Sequence, residues 1–141
     1  MLLPHAPSSL GQARHRLAAE LRAHGVAEPA ICDATLVLNE LTSNAVRHAR
    51  PLPGEQIRVA WTLSDGTLEL AVSDGGGPTR PGSERPPSVS SLGGRGLGIV
   101  DHLSRRWGVR SDDRGTTVWA VLMARQDRSR SLRSRRALVT S

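Results

Sequence analysis

The chain has 141 residues, 38% hydrophobic and 23% charged, enough for one domain whose core hides about two-thirds of the surface an unfolded chain of this size exposes. All 19 cationic residues are arginine, which excludes a Walker A, a Schiff-base and an ordinary protein-kinase lysine. The single Cys32 excludes an intrachain disulfide and a CxxC zinc pair, and without Tyr or Phe only Trp61, Trp107 and Trp119 remain as stacking platforms, too few for single-strand nucleic-acid binding. The net charge of +6 sits almost wholly in residues 125–141, where six arginines face Asp127 alone, so residues 1–124 are nearly neutral. That arginine-rich, apolar-poor end is expected to be a disordered tail beyond one folded domain over 1–124.

In chain order, Ser8 and Ser9 are candidate caps for a first helix with apolar positions Leu10, Ala13, Leu17, Ala18 and Leu21, closed at Gly25. Pro29 suits the first turn of a second helix running to about Ala49, with the stripe Ala34, Val37, Leu38, Leu41 and Ala45. Alternating Ile57, Val59, Trp61, Leu63 and then Leu68, Leu70, Val72 around Asp65-Gly66 read as a hairpin. Eight of the 14 glycines and four of the nine prolines fall between Asp74 and Gly98, which marks a long loop of a length that is usually functional or disordered. A third helix follows, with Leu97, Val100, Leu103 and Trp107 on one face and Gly108 as its end. A second hairpin then turns at Asp113-Arg114-Gly115. The segment before the first helix leaves room for an abbreviated edge strand at most. Helices first and strands later predict α+β: a two-layer α/β sandwich, its sheet mixed but mostly antiparallel, with helices on one face. No apolar run reaches the roughly 20 residues of a membrane span, and Met1-Leu2-Leu3-Pro4 is too short for a signal-peptide core, so the expected location is cytoplasmic.

Four groups of residues could carry chemistry. On the second helix a spacing of four puts Glu40 and Asn44 on one face, opposite Leu38, Leu41 and Ala45. There a carboxylate can accept a hydroxyl proton and an amide oxygen can join water around Mg²⁺, or both can be ordinary solvated side chains. Asp74, at a strand end and followed by Gly75, Gly76 and Gly77, can aim a carboxylate at an amino group on a flat ring, or simply make an Asp-Gly turn. Gly93-Gly94-Arg95-Gly96-Leu97-Gly98 feeds a helix start, where free N–H groups and a permanent cation suit phosphate. It does not follow a strand, so it is not a dinucleotide fingerprint. Thr116 could share a water with Asp74, or be a β-favouring residue in a strand.

Helix Glu-x-x-x-Asn, strand-Asp-x-Gly, a glycine-rich lid and Gly-Thr, in that order, resemble the N, G1, G2 and terminal Thr boxes of the histidine-kinase-like (GHKL) ATPase superfamily. Asn39 to Ala49, Gly94-Arg95-Gly96-Leu97 and the ending Trp107-Gly108 with Thr117-Val118-Trp119-Ala120 look more narrowly like the short anti-sigma-factor kinases of actinomycetes. The resemblance spans about residues 5–123. It implies an ATP and Mg²⁺ site with Asn44 on the metal and Glu40 as the catalytic residue, a base or polariser. Asp74 would lie on the adenine with Gly76 beneath it, Thr116 would support Asp74, and Gly94, Arg95, Gly96, Leu97 and Gly98 would line the phosphate lid. It also implies a serine-protein kinase acting on a STAS-domain anti-sigma antagonist, a sigma factor as second partner, and a homodimer; neither a membrane nor nucleic acid is an expected partner. The alternative reading is an ATP-binding interaction module without transfer. Two positions depart from the pattern: Pro78 replaces the second G1 glycine, and the lid has no lysine. A complete histidine kinase does not fit this length, so His48 and His102 are read as helix-face residues.

Overall fold

The computed structural model describes residues 1–76, 84–85, 97–126 and 138–140. Three helices lie on one face of an antiparallel sheet. The strands are β1 (Leu2–Pro4), β2 (Gln56–Ser64), β3 (Thr67–Asp74), β4 (Glu84–Arg85), β5 (Arg106–Asp112), β6 (Gly115–Met123) and β7 (Leu138–Thr140). They follow the order β1-β2-β3-β6-β5-β4, with β7 also on β2, and every described pairing is antiparallel. The helices are α1 (Ser8–Ala23), α2 (Glu28–His48) and α3 (Leu97–Leu103). This is the expected α+β sandwich, and β1 is the abbreviated edge strand. The β7 residues belong to the expected tail; residues 127–137 of that segment and Gly94, Arg95 and Gly96 of the expected lid lie outside the described residues.

The core forms where two periodicities meet. Ile57, Val59, Trp61 and Leu63 alternate inward from β2, and Leu68, Leu70 and Val72 from β3, against Ala34, Val37, Leu38, Leu41 and Ala45 of α2 and Leu17 and Leu21 of α1. Full burial of each such leucine or valine removes enough apolar surface from water to favour folding by about 1.5–3 kcal/mol. Trp61 is fully buried yet not orphaned, because its indole N–H donates to Glu20 Oε2 at 2.6 Å. Pro29 occupies the first turn of α2, where no intrahelical N–H is needed, and Asp65-Gly66 forms the two-residue turn joining β2 to β3.

Two local expectations are corrected. Ser8 and Ser9 lie inside α1 and cap nothing; Pro7 precedes the helix, and the Ser9 hydroxyl donates to the Pro4 carbonyl, which β1 brings within reach. The third helix stops at Leu103, so Trp107 and Gly108 belong to β5. Strand parity buries Trp107, Val109 and Ser111 on the helix side, and the Trp107 indole ties back to Asp101 of α3 at 2.9 Å. Gly108 pairs with Trp119, and a Cβ there would meet the Trp119 ring at 2.7 Å, so the glycine makes room for an indole lying across β5.

Candidate nucleotide site

The end of the sheet at Asp74 gathers polar groups, two of which, Asp74 and Ser111, are buried. Asp74 ends β3, points to the helix side and is 6% exposed. Its Oδ1 accepts the Gly76 N–H at 2.7 Å. Burial pushes the carboxyl up to about 6, against the Gly76 N–H and the nearby His5, which favour the ionised form. A buried carboxyl that titrates near neutrality while keeping unused oxygen lone pairs is chemically suited to a ligand's N–H donor.

Close backbone approach shapes the surroundings. A Cβ on Gly115 would run into the Asp74 carbonyl, and one on Gly75 into the Pro51 carbonyl. Gly75 and Gly76 are laced to the residues after α2: the Gly75 N–H donates to the Arg50 carbonyl at 2.7 Å, and the Arg50 N–H donates to the Gly76 carbonyl at 3.0 Å. Thr116 pairs with Asp74 across β6, lies beside Gly76, and shares a 3.0 Å hydroxyl contact with buried Ser111. Ser73 and Thr117 form a second hydroxyl pair one residue away, at 2.7 Å.

The structure therefore brings together Asp74, Gly76, Thr116 and the C-terminal end of α2. Asn44 and Glu40 lie one and two turns back on that helix. Both are half-buried, on the shoulder of the apolar stripe instead of opposite it, as a 100° step per residue requires. The Asn44 side-chain nitrogen is buried and meets no hydrogen-bond partner among the described residues. Such an amide is costly to bury alone, which fits a side chain oriented toward a ligand. Among the described residues no three His, Cys, Asp or Glu side chains gather to hold a metal. A divalent ion here would rest on the Asn44 amide oxygen together with oxygens a ligand brings, and that donor set fits Mg²⁺, which binds few protein groups and retains water.

Leu97 is buried and starts α3, whereas Gly98 is exposed with open space where a Cβ would stand, so packing makes no demand for glycine there. Sequence reasoning missed His5 and Ser111, and it named Gly75 and Gly115 without the close contacts that require them. The glycines stood in the sequence beside chosen residues, but their necessity lies in pairings that no local pattern states; His5 and Ser111 carry no local signal.

Among the described residues no helix is long and apolar enough to cross a membrane. No curated protein matches the chain. The fold is similar to the crystal structure of the RsbU and RsbW domains of Rv1364c from Mycobacterium tuberculosis, with a TM-score of 0.62 at 16% identity. That likeness covers 88% of this chain and 32% of the other, so the chain spans about a third of the length of the protein it matches. The model of the Histidine kinase-like ATPase domain matches residues 3–122, and the chain belongs to that family.

Proposed function

We propose that the chain binds ATP with Mg²⁺ at the Asp74 end of the sheet and transfers the γ-phosphoryl group to a serine of a STAS-domain anti-sigma antagonist, and that it alternately sequesters a sigma factor. The carrying observation is the buried Asp74 carboxyl, bonded to the Gly76 N–H and paired across the sheet with Thr116. In this reading Asp74 accepts the adenine amino group, the Gly76 backbone lies against the ring, and Thr116 supports the carboxylate through a water. Asn44 would hold the ion, which supplies charge neutralisation to the phosphates. Gly94, Arg95, Gly96, Leu97 and Gly98 would line the phosphate end. The partner's serine oxygen forms a bond to the γ-phosphorus, the bond from that phosphorus to the bridging oxygen breaks, ADP leaves, and Glu40 takes the serine proton.

The match of residues 3–122 to the Histidine kinase-like ATPase domain supports the nucleotide part of this reading. The test has two stages. Calorimetric titration of Mg-ATP should give saturable binding in the wild type and a loss of about 100-fold or more in Asp74→Asn, since a buried site built around one hydrogen bond discriminates strongly. Incubation with γ-labelled ATP and candidate antagonists should then label a partner serine, with the label lost in Glu40→Gln. Binding without any labelled partner would leave an ATP-dependent interaction module, and a folded wild type that ignores millimolar ATP would end the nucleotide reading.

A further inference from the structure

His5 lies outside every motif noted in the sequence, in the link between β1 and α1, yet its ring reaches the far end of α2. His5 Nε2 stands 3.0 Å from the carbonyl oxygens of both Ala45 and Ala49, and its backbone N–H donates to the Glu55 carbonyl at 2.8 Å. One ring N–H shared between two carbonyls is a three-centre hydrogen bond, and it falls where a helix runs out of amides to satisfy its last turn. Ala49 is already extended, and the next residue, Arg50, is the one laced to Gly75 and Gly76. The Gly76 N–H in turn holds Asp74 Oδ1. A continuous set of hydrogen bonds thus runs from the His5 ring through the last turn of α2 and the Arg50 backbone to the carboxyl of the proposed adenine subsite.

We propose that His5 is a positioning residue of the nucleotide site: it pins the end of α2, and through Arg50 it fixes the Gly75-Gly76 turn that aims Asp74. The inference rests on the reading of Asp74 as a nucleotide contact. Its mechanical part, the order of the turn, does not need nucleotide to be seen. Without the ring N–H, the Ala45 and Ala49 carbonyls lose a half-buried donor, the last turn frays, and the glycine turn loses its support. Asp74 then spends less time in the orientation that a bound ring requires.

Two variants test this. His5→Leu keeps the volume and removes the donor, while His5→Gln restores an amide N–H at nearly the same reach. Hydrogen exchange of the free protein should be faster in His5→Leu at the Arg50, Gly75 and Gly76 amides but unchanged at Val59 and Leu70, and should return to wild-type rates in His5→Gln. Titration with Mg-ATP should show about tenfold weaker binding in His5→Leu and recovery to within about threefold in His5→Gln, the size expected for one hydrogen bond. Unchanged exchange at the three amides in His5→Leu overturns the proposal, as does equal weakening in both variants. If the wild type binds no ATP but exchange responds as described, the nucleotide reading fails while the clamp on the turn stands. If His5→Leu does not fold, the proposal is judged on His5→Gln, whose exchange and affinity must match the wild type.

Discussion

The two ends of the β3–β6 pair are built on different terms. At the Thr67 end, β3 leaves a two-residue hairpin whose Asp65 is exposed and whose Gly66 has open space around it. At the Asp74 end the same strands bury a carboxyl, press Gly115 against its carbonyl and dock the Gly75-Gly76 turn on the residues after α2. The first end reverses the chain and takes one further hydrogen bond, from the Ala124 N–H to the Gly66 carbonyl at 2.8 Å. The second carries a polar group that burial penalises, which a fold tolerates where binding requires it.

The sharpest way to break the contrast is to add the same methyl at each end. Gly115→Ala should lose about 3 kcal/mol or more in chemical denaturation, because the added carbon collides with backbone that β3 cannot move. Asp74→Asn should act in the opposite direction. Its folded carboxyl titrates at about 6 against 3.8 in the unfolded chain, so the native state holds its proton more tightly. Stability is greatest below pH 4, falls as pH rises to 6 and is flat above that. Removing the charge should therefore raise stability at pH 8 by about 1–3 kcal/mol and leave it nearly unchanged at pH 3.5, while nucleotide binding is lost. Gly66→Ala, at the plain end, should lose only about 1 kcal/mol, the ordinary penalty for a left-handed backbone without glycine.

How far the sequence foretold this molecule depended on whether a signal was local. The α2 stripe, the alternation in β2 and β3 and the Asp65-Gly66 turn were legible because period and turn chemistry lie within a few residues. Trp107 was misplaced because its spacing from Leu103 suits a helix as well as the step from Trp107 to Val109 suits a strand, and only pairing with β6 decides between them. Ser9 was expected to accept a backbone N–H as a cap, but β1 brings the Pro4 carbonyl within reach and its hydroxyl donates there instead. Asp74, Gly76 and Thr116 were marked by local chemistry and then by a resemblance, but their neighbours His5 and Ser111 depend on contacts between residues distant in the chain or on opposite strands. Asn44 was legible as a polar intruder in a helix; that its side-chain nitrogen meets no partner among the described residues was not.

The indole resting on Gly108 has a practical use. With no tyrosine or phenylalanine in the chain, all near-ultraviolet emission comes from three tryptophans. Trp61 and Trp107 are sealed under the helices, and Trp119 is half-exposed on the other side of the sheet. Acrylamide quenching of the native protein should therefore report almost solely on Trp119. A protein that settles over that side would shield the dye-accessible fraction and shift its colour, giving a label-free optical readout of complex formation on a surface separate from the Asp74 site.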